Sequence, residues 1–83
     1  MSKPKLKHMW TRWGSREGSM ALVPGGELQV FVGERSGVDE WAVLLDGKFT
    51  RSERVAFGSG RTIDDARAQA EEAYEREMVN RNR

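Results

Sequence analysis

The feature that most constrains this chain is the segment at residues 58–66, which reads Gly-Ser-Gly-Arg-Thr-Ile-Asp-Asp-Ala. The two glycines are typical of a loosened strand end. Thr62, followed three residues later by Asp65, is close to a helix capping box. Asp64 and Asp65 also favour the positive end of a helix dipole. The segment therefore predicts a strand that ends here and a helix over residues 63–79.

Small and apolar residues recur every three or four positions along this predicted helix, and the opposite side is charged. Such spacing puts the apolar residues on one face. Alanines on that face let the helix axis lie close to a sheet. The residues of this predicted packing face are Ile63, Ala66, Ala70, Ala73, Tyr74 and Met78.

Residues 20–57 carry the patterns of antiparallel strands. Residues 28–32 alternate apolar side chains with others at the period of two expected of a sheet with one buried face. Pro24-Gly25-Gly26 and Asp46-Gly47 are turn signals that favour hairpins. The last strand, over residues 49–57, has a polar middle. That pattern predicts either an exposed edge or a bulge before Val55 and Phe57 rejoin the core.

These elements predict an α+β fold, a strongly twisted antiparallel sheet of about four strands with the C-terminal helix packed on one face. We expect one domain over residues 20–79, a basic arm over 1–19 that is a candidate edge strand, and a frayed tail over 80–83. A single helix covers one side of such a sheet. By parity, Phe31 and Leu44 are expected on the uncovered side, and Trp41 in the core.

The composition argues against most catalytic chemistry. The chain has 83 residues, no cysteine and one histidine, His8, so thiolate, zinc and nucleophilic sites lack their usual residues. We therefore predict a protein that is not an enzyme and has no cofactor or metal. The apolar runs are too short for a membrane helix, which favours a soluble, cytoplasmic protein without a membrane partner.

The charge is unevenly distributed. Residues 1–16 contain five basic residues and no acid, and the rest of the chain sums to −4. Such an arm is typical either of a solvated terminus or of a contact with nucleic acid or an acidic partner. The basic residues are Lys3, Lys5, Lys7, Arg12 and Arg16.

Trp10 and Trp13 interleave with Arg12 and are followed by Arg16. Aromatic residues next to arginine are enriched both in protein hot spots and in platforms that stack single-stranded nucleic acid. In a domain this small, core packing is an equally good explanation of either tryptophan. The sequence leaves core and interface open for both.

The residues Gly58-Ser59-Gly60-Arg61-Thr62, leading into Ala66, resemble the last strand and helix of the double-stranded RNA-binding domain. The resemblance covers residues 58–78 and implies a helix packed on an antiparallel sheet. In that family, lysines that grip phosphates follow the Ser/Thr, whereas this chain has Ile63 and Asp64. The resemblance therefore does not extend to RNA binding.

The leading functional hypothesis is a small non-enzymatic protein-binding module, a homodimer or an accessory or inhibitor protein of the kind found in phages and mobile elements. Its predicted contact residues lie on the uncovered sheet face and in the basic aromatic arm. They are Trp10, Arg12, Trp13, Arg16, Phe31 and Leu44. The alternative hypothesis is nucleic-acid binding through Lys3, Lys5, Lys7, Arg12 and Arg16.

Overall fold

The structure is a computed structural model that describes residues 6–13, 18–33, 37–46 and 53–81, with the backbone alone described for Trp13. Five antiparallel strands precede one helix, and each strand pairs with the next along the chain. The α+β fold is confirmed, with five strands instead of about four. The elements are β1 (Thr11–Trp13), β2 (Gly18–Val23), β3 (Gly26–Val32), β4 (Asp39–Leu45), β5 (Glu53–Gly60) and α1 (Ile63–Arg81).

The β2–β3 hairpin forms where its turn residues predict. Val23 pairs with Gly26 across a two-residue turn, in which Gly25 has a φ of 84° that side chains with a Cβ rarely adopt. The predicted alternation in β3 holds for Leu28 and Val30, which are buried beneath α1, whereas Val32 at the end of the strand is exposed. The second predicted turn lies partly outside the described residues, which resume at Glu53.

Strand β5 combines the two alternatives that its polar beginning left open. It is an outer strand of the sheet, and its register with β4 shifts so that Val43 pairs with Ala56 while Leu44 pairs with Arg54. Val55 is therefore an additional residue, and it bulges. Because the bulge shifts the parity that follows, Ala56 takes the core side and Phe57 points away from it. The prediction that Phe57 rejoins the core is wrong.

The helix begins where its capping residues predict. The Asp65 backbone N–H donates to Thr62 Oγ1 at 3.0 Å, and Asp65 Oδ2 accepts from the Arg61 N–H at 2.9 Å. The helix continues to Arg81, two residues beyond the predicted end. Most of the predicted packing face is buried, but Ile63 is exposed because it lies in the first turn, at the margin of the sheet.

The strand ends at Gly60, as predicted, but the glycines at its end permit close packing and do not loosen it. A Cβ on Gly58 would lie 2.7 Å from the Trp41 ring, and one on Gly60 would lie 2.6 Å from the backbone nitrogen of Ala66. Both distances are too short for a real Cβ. The pattern thus seats Trp41 and the first turn of α1 against the strand.

Candidate protein-binding face

The sheet has two unlike sides. Helix α1 contacts β3, β4 and β5 and buries one side. We call the other side the open face. Its positions follow from the strand register, since residues that pair across strands point to the same side. The open face carries Thr11, Met20, Leu22, Glu27, Gln29, Phe31, Glu40, Ala42, Leu44, Arg54, Phe57 and Ser59.

Two large apolar side chains of the open face are almost fully in solvent. Leu22 on β2 is 78% exposed, and Phe57 on β5 is 73% exposed. Phe31 and Leu44 lie between them along the sheet and are half-buried. Both therefore occupy the side that sequence parity predicts. Several large apolar side chains on one side of a small sheet are a common feature of interaction surfaces.

The apolar groups of the open face are separated by polar ones. Glu27 lies between Leu22 and Leu44 in the strand register. Beyond Leu44, the guanidinium carbon of Arg54 lies 6.0 Å from the centre of the Phe57 ring, within cation–π range. This mixture of apolar and polar side chains is more typical of a non-obligate protein interface than of the more apolar interface of an obligate complex.

The N-terminal segment, residues 6–10, lies on the opposite side of the sheet and is tied to the helix. Glu71 is 4% exposed, and its carboxylate accepts hydrogen bonds from three groups. These are the backbone N–H groups of Lys7 at 2.8 Å and His8 at 2.9 Å, and Trp10 Nε1 at 2.8 Å. With three donors, the buried carboxylate has its hydrogen-bonding capacity filled, and the donors of the N-terminal segment have an acceptor.

Trp10 is accordingly part of the folded body. Its ring is half-buried against the core, and the guanidinium carbon of Arg67 lies 5.8 Å from the ring centre. The predicted grouping of Trp10 with Phe31 and Leu44 does not occur, because the sheet separates them. A partner on the open face would contact Phe31 and Leu44 without touching Trp10.

The predicted basic arm is partly neutralised where it is described. Lys7 Nζ lies 2.6 Å from Glu75 Oε1, and this hydrogen bond and the charge of Glu75 raise the pKa of the ammonium. Arg12 on β1 is exposed. The other predicted contacts, Lys3, Lys5, Arg16 and the Trp13 side chain, lie outside the described residues. Of the two described cations, Lys7 already has an acidic partner.

The N-terminus of α1 is already occupied by side chains of this chain, which bears on whether it could bind an anion. Asp65 accepts from the Arg61 N–H and from Gln69 Nε2 at 3.1 Å, so a carboxylate already occupies the end of the helix that attracts negative charge. Gln69 in turn accepts from Trp41 Nε1 at 3.0 Å. These contacts join the helix start to the core, and a phosphate would have to displace them.

The described residues contain no group of three or more His, Cys, Asp or Glu side chains that could hold a metal ion. His8 instead stacks edge-on against Tyr74, with ring centres 5.6 Å apart. Among the described helices, none is both long and apolar enough to cross a membrane.

Comparison of the chain with protein-family models, with characterised proteins and with solved structures gives no match.

Sequence reasoning missed three residues that define these surfaces. Leu22 lay in a predicted strand, but the side it faces depends on the register with β3. Phe57 depends on the bulge at Val55, and Glu71 reads as one more acid on a charged helix. One signal for Glu71 was present, since it lies three residues before Tyr74, and residues three apart are neighbours on a helix surface.

Proposed function

We propose that this chain is a non-enzymatic protein-binding module that uses its open face. The observation that carries the proposal is the exposure of Leu22 and Phe57 on the side of the sheet that α1 does not cover. Transferring such side chains from water into an interface is favourable by about 25 cal/mol per Å² of apolar area. Half-buried Phe31 and Leu44 supply further apolar surface between them.

The charges of the open face support a protein partner over a nucleic acid. Its described charged residues are Glu27, Glu40 and Arg54, which sum to −1, whereas nucleic-acid interfaces are strongly positive. Of the basic residues of the arm that the structure describes, Lys7 lies on the helix side, where it pairs with Glu75. An accessory or inhibitor protein, acting in the cytoplasm by covering part of a larger protein, fits this arrangement.

Site-specific photo-cross-linking tests the proposal. A photoreactive phenylalanine analogue replaces Leu22 in one variant and Glu72, which is exposed on the outer side of α1, in the control. In lysate of the native host, we expect discrete protein adducts from position 22 and none of the same mass from position 72. Adducts shared by both positions would contradict the proposal.

A second variant tests whether the partner that is cross-linked at position 22 binds the open face. Leu44→Lys in the position-22 variant adds a charge to the open face two strands from the probe and is expected to reduce the adduct yield at least fivefold.

A salt titration from 50 to about 300 mM tests the alternative hypothesis of nucleic-acid binding, since binding through phosphate contacts falls steeply with salt and apolar binding does not. Adducts to nucleic acid that disappear over this range would favour the nucleic-acid hypothesis.

A further inference from the structure

The two outer strands of the sheet differ in how well they are protected against pairing with another chain. β1 is three residues long, which is itself a protective device, whereas β5 is eight residues long. β5 contains no proline and no lysine. Its charged residues, Glu53 and Arg54, and its bulge at Val55 all lie in its first half, so residues 56–60 carry none of these protective features. Among the described residues, no strand pairs with its outer edge.

We propose that β5 pairs antiparallel with β5 of a second copy of this chain, with the two-fold axis at Phe57. The proposal extends the proposed function and rests on it in taking the open face as a binding surface. Because such an axis runs perpendicular to the sheet, both open faces lie on the same side. Two five-stranded sheets then become one sheet of ten strands with a continuous open face.

Phe57 fixes the register. Antiparallel pairing about a two-fold axis places one residue of the strand opposite its own copy. With the axis at Phe57, two rings that are exposed in the single chain meet across the strands, and cross-strand aromatic pairs are among the favourable ones. An axis at Ala56 or Gly58 would oppose small residues and leave both rings in solvent.

Cysteine substitution gives a direct test, because the natural chain has no cysteine. Phe57→Cys places two thiols opposite each other at the axis, at the Cβ separation of about 4.5–5.5 Å typical of cross-strand pairs and close to that of a disulfide. Leu22→Cys is the matched control, equally exposed on the open face but on β2. We expect Phe57→Cys to form covalent dimers at least tenfold faster under mild oxidation.

Sedimentation of the cysteine-free chain supplies the second readout. A strand-edge interface is small, so we expect a dissociation constant on the order of 100 µM. Phe57→Lys should weaken it at least tenfold by opposing two like charges, while Leu22→Lys should leave it unchanged. Equal oxidation rates for both cysteines, or a monomer at every concentration up to about 1 mM, would overturn the pairing. Neither result would affect adducts to a partner protein from position 22.

Discussion

The covered face and the open face of the same sheet use apolar residues in opposite ways. Under α1, apolar side chains from β3 and β4 pack with the alanines of the helix, and Leu28, Val43 and Ala70 are completely buried. On the open face, Leu22 and Phe57 remain in solvent beside charged neighbours. Burial in this protein is therefore determined by the position of one helix. Apolar residues that α1 does not cover are available for binding.

The difference between the two faces is tested most strongly by replacing one leucine on each, Leu28 on the covered face and Leu22 on the open face. Leu28→Ala removes a completely buried side chain beneath α1 and leaves a cavity. We expect it to lower the free energy of unfolding by about 2–5 kcal/mol. Urea denaturation followed by tryptophan fluorescence measures the change. A loss below about 1 kcal/mol would mean that the covered face is not the core.

Glu71→Ala tests whether the N-terminal segment belongs to the covered side. The substitution leaves the Lys7 and His8 N–H groups and Trp10 Nε1 without their acceptor. Leaving part-buried donors unsatisfied is expected to lower the free energy of unfolding by about 2–4 kcal/mol. Hydrogen exchange of the two backbone amides should also become faster.

The matched control is Glu72→Ala, because that neighbour is exposed and pairs with Arg76 at 3.4 Å on the helix surface. We expect this control to change stability by less than about 0.5 kcal/mol. Equal effects of the two substitutions would refute the role of Glu71 in holding the segment.

Thr62→Ala tests the boundary between the two regions, where β5 passes into α1. Loss of the hydroxyl removes the acceptor for the Asp65 N–H and is expected to cost about 1 kcal/mol. Thr11→Ala is the control, since its hydroxyl makes a longer, 3.3 Å hydrogen bond to the Met20 carbonyl on the open side. An unchanged melting temperature for Thr62→Ala would refute this helix start.

The sequence predicted the parts of the fold that depend on neighbouring residues. The capping residues located the start of α1, Pro24-Gly25 located a hairpin turn, and the period of two in β3 identified its buried side. Each of these signals acts over a few residues, so it can be recognised without knowledge of the rest of the chain.

Features that depend on distant pairing were not predictable from the sequence. Phe57 faces outward because Val55 bulges, and the bulge exists only relative to β4. The role of Glu71 requires a segment more than 60 residues away to return to the helix. Trp10 was ambiguous for the same reason. The candidate site was thus half predicted, with Phe31 and Leu44 located by parity and its two most exposed apolar residues missed.

Replacing Leu22, the leucine on the open face, tests whether that face contributes to stability. Leu22 and Leu28 lie on adjacent strands, but Leu22 points into solvent. Leu22→Ala removes the same atoms as Leu28→Ala, yet we expect a stability change below about 0.5 kcal/mol, because the side chain gains little from folding. If the free energy of unfolding fell as far as for Leu28→Ala, the open face would be covered in solution. With stability unchanged, any loss of binding to the cross-linked partner measures contact with the partner alone, which no substitution on the covered face can isolate.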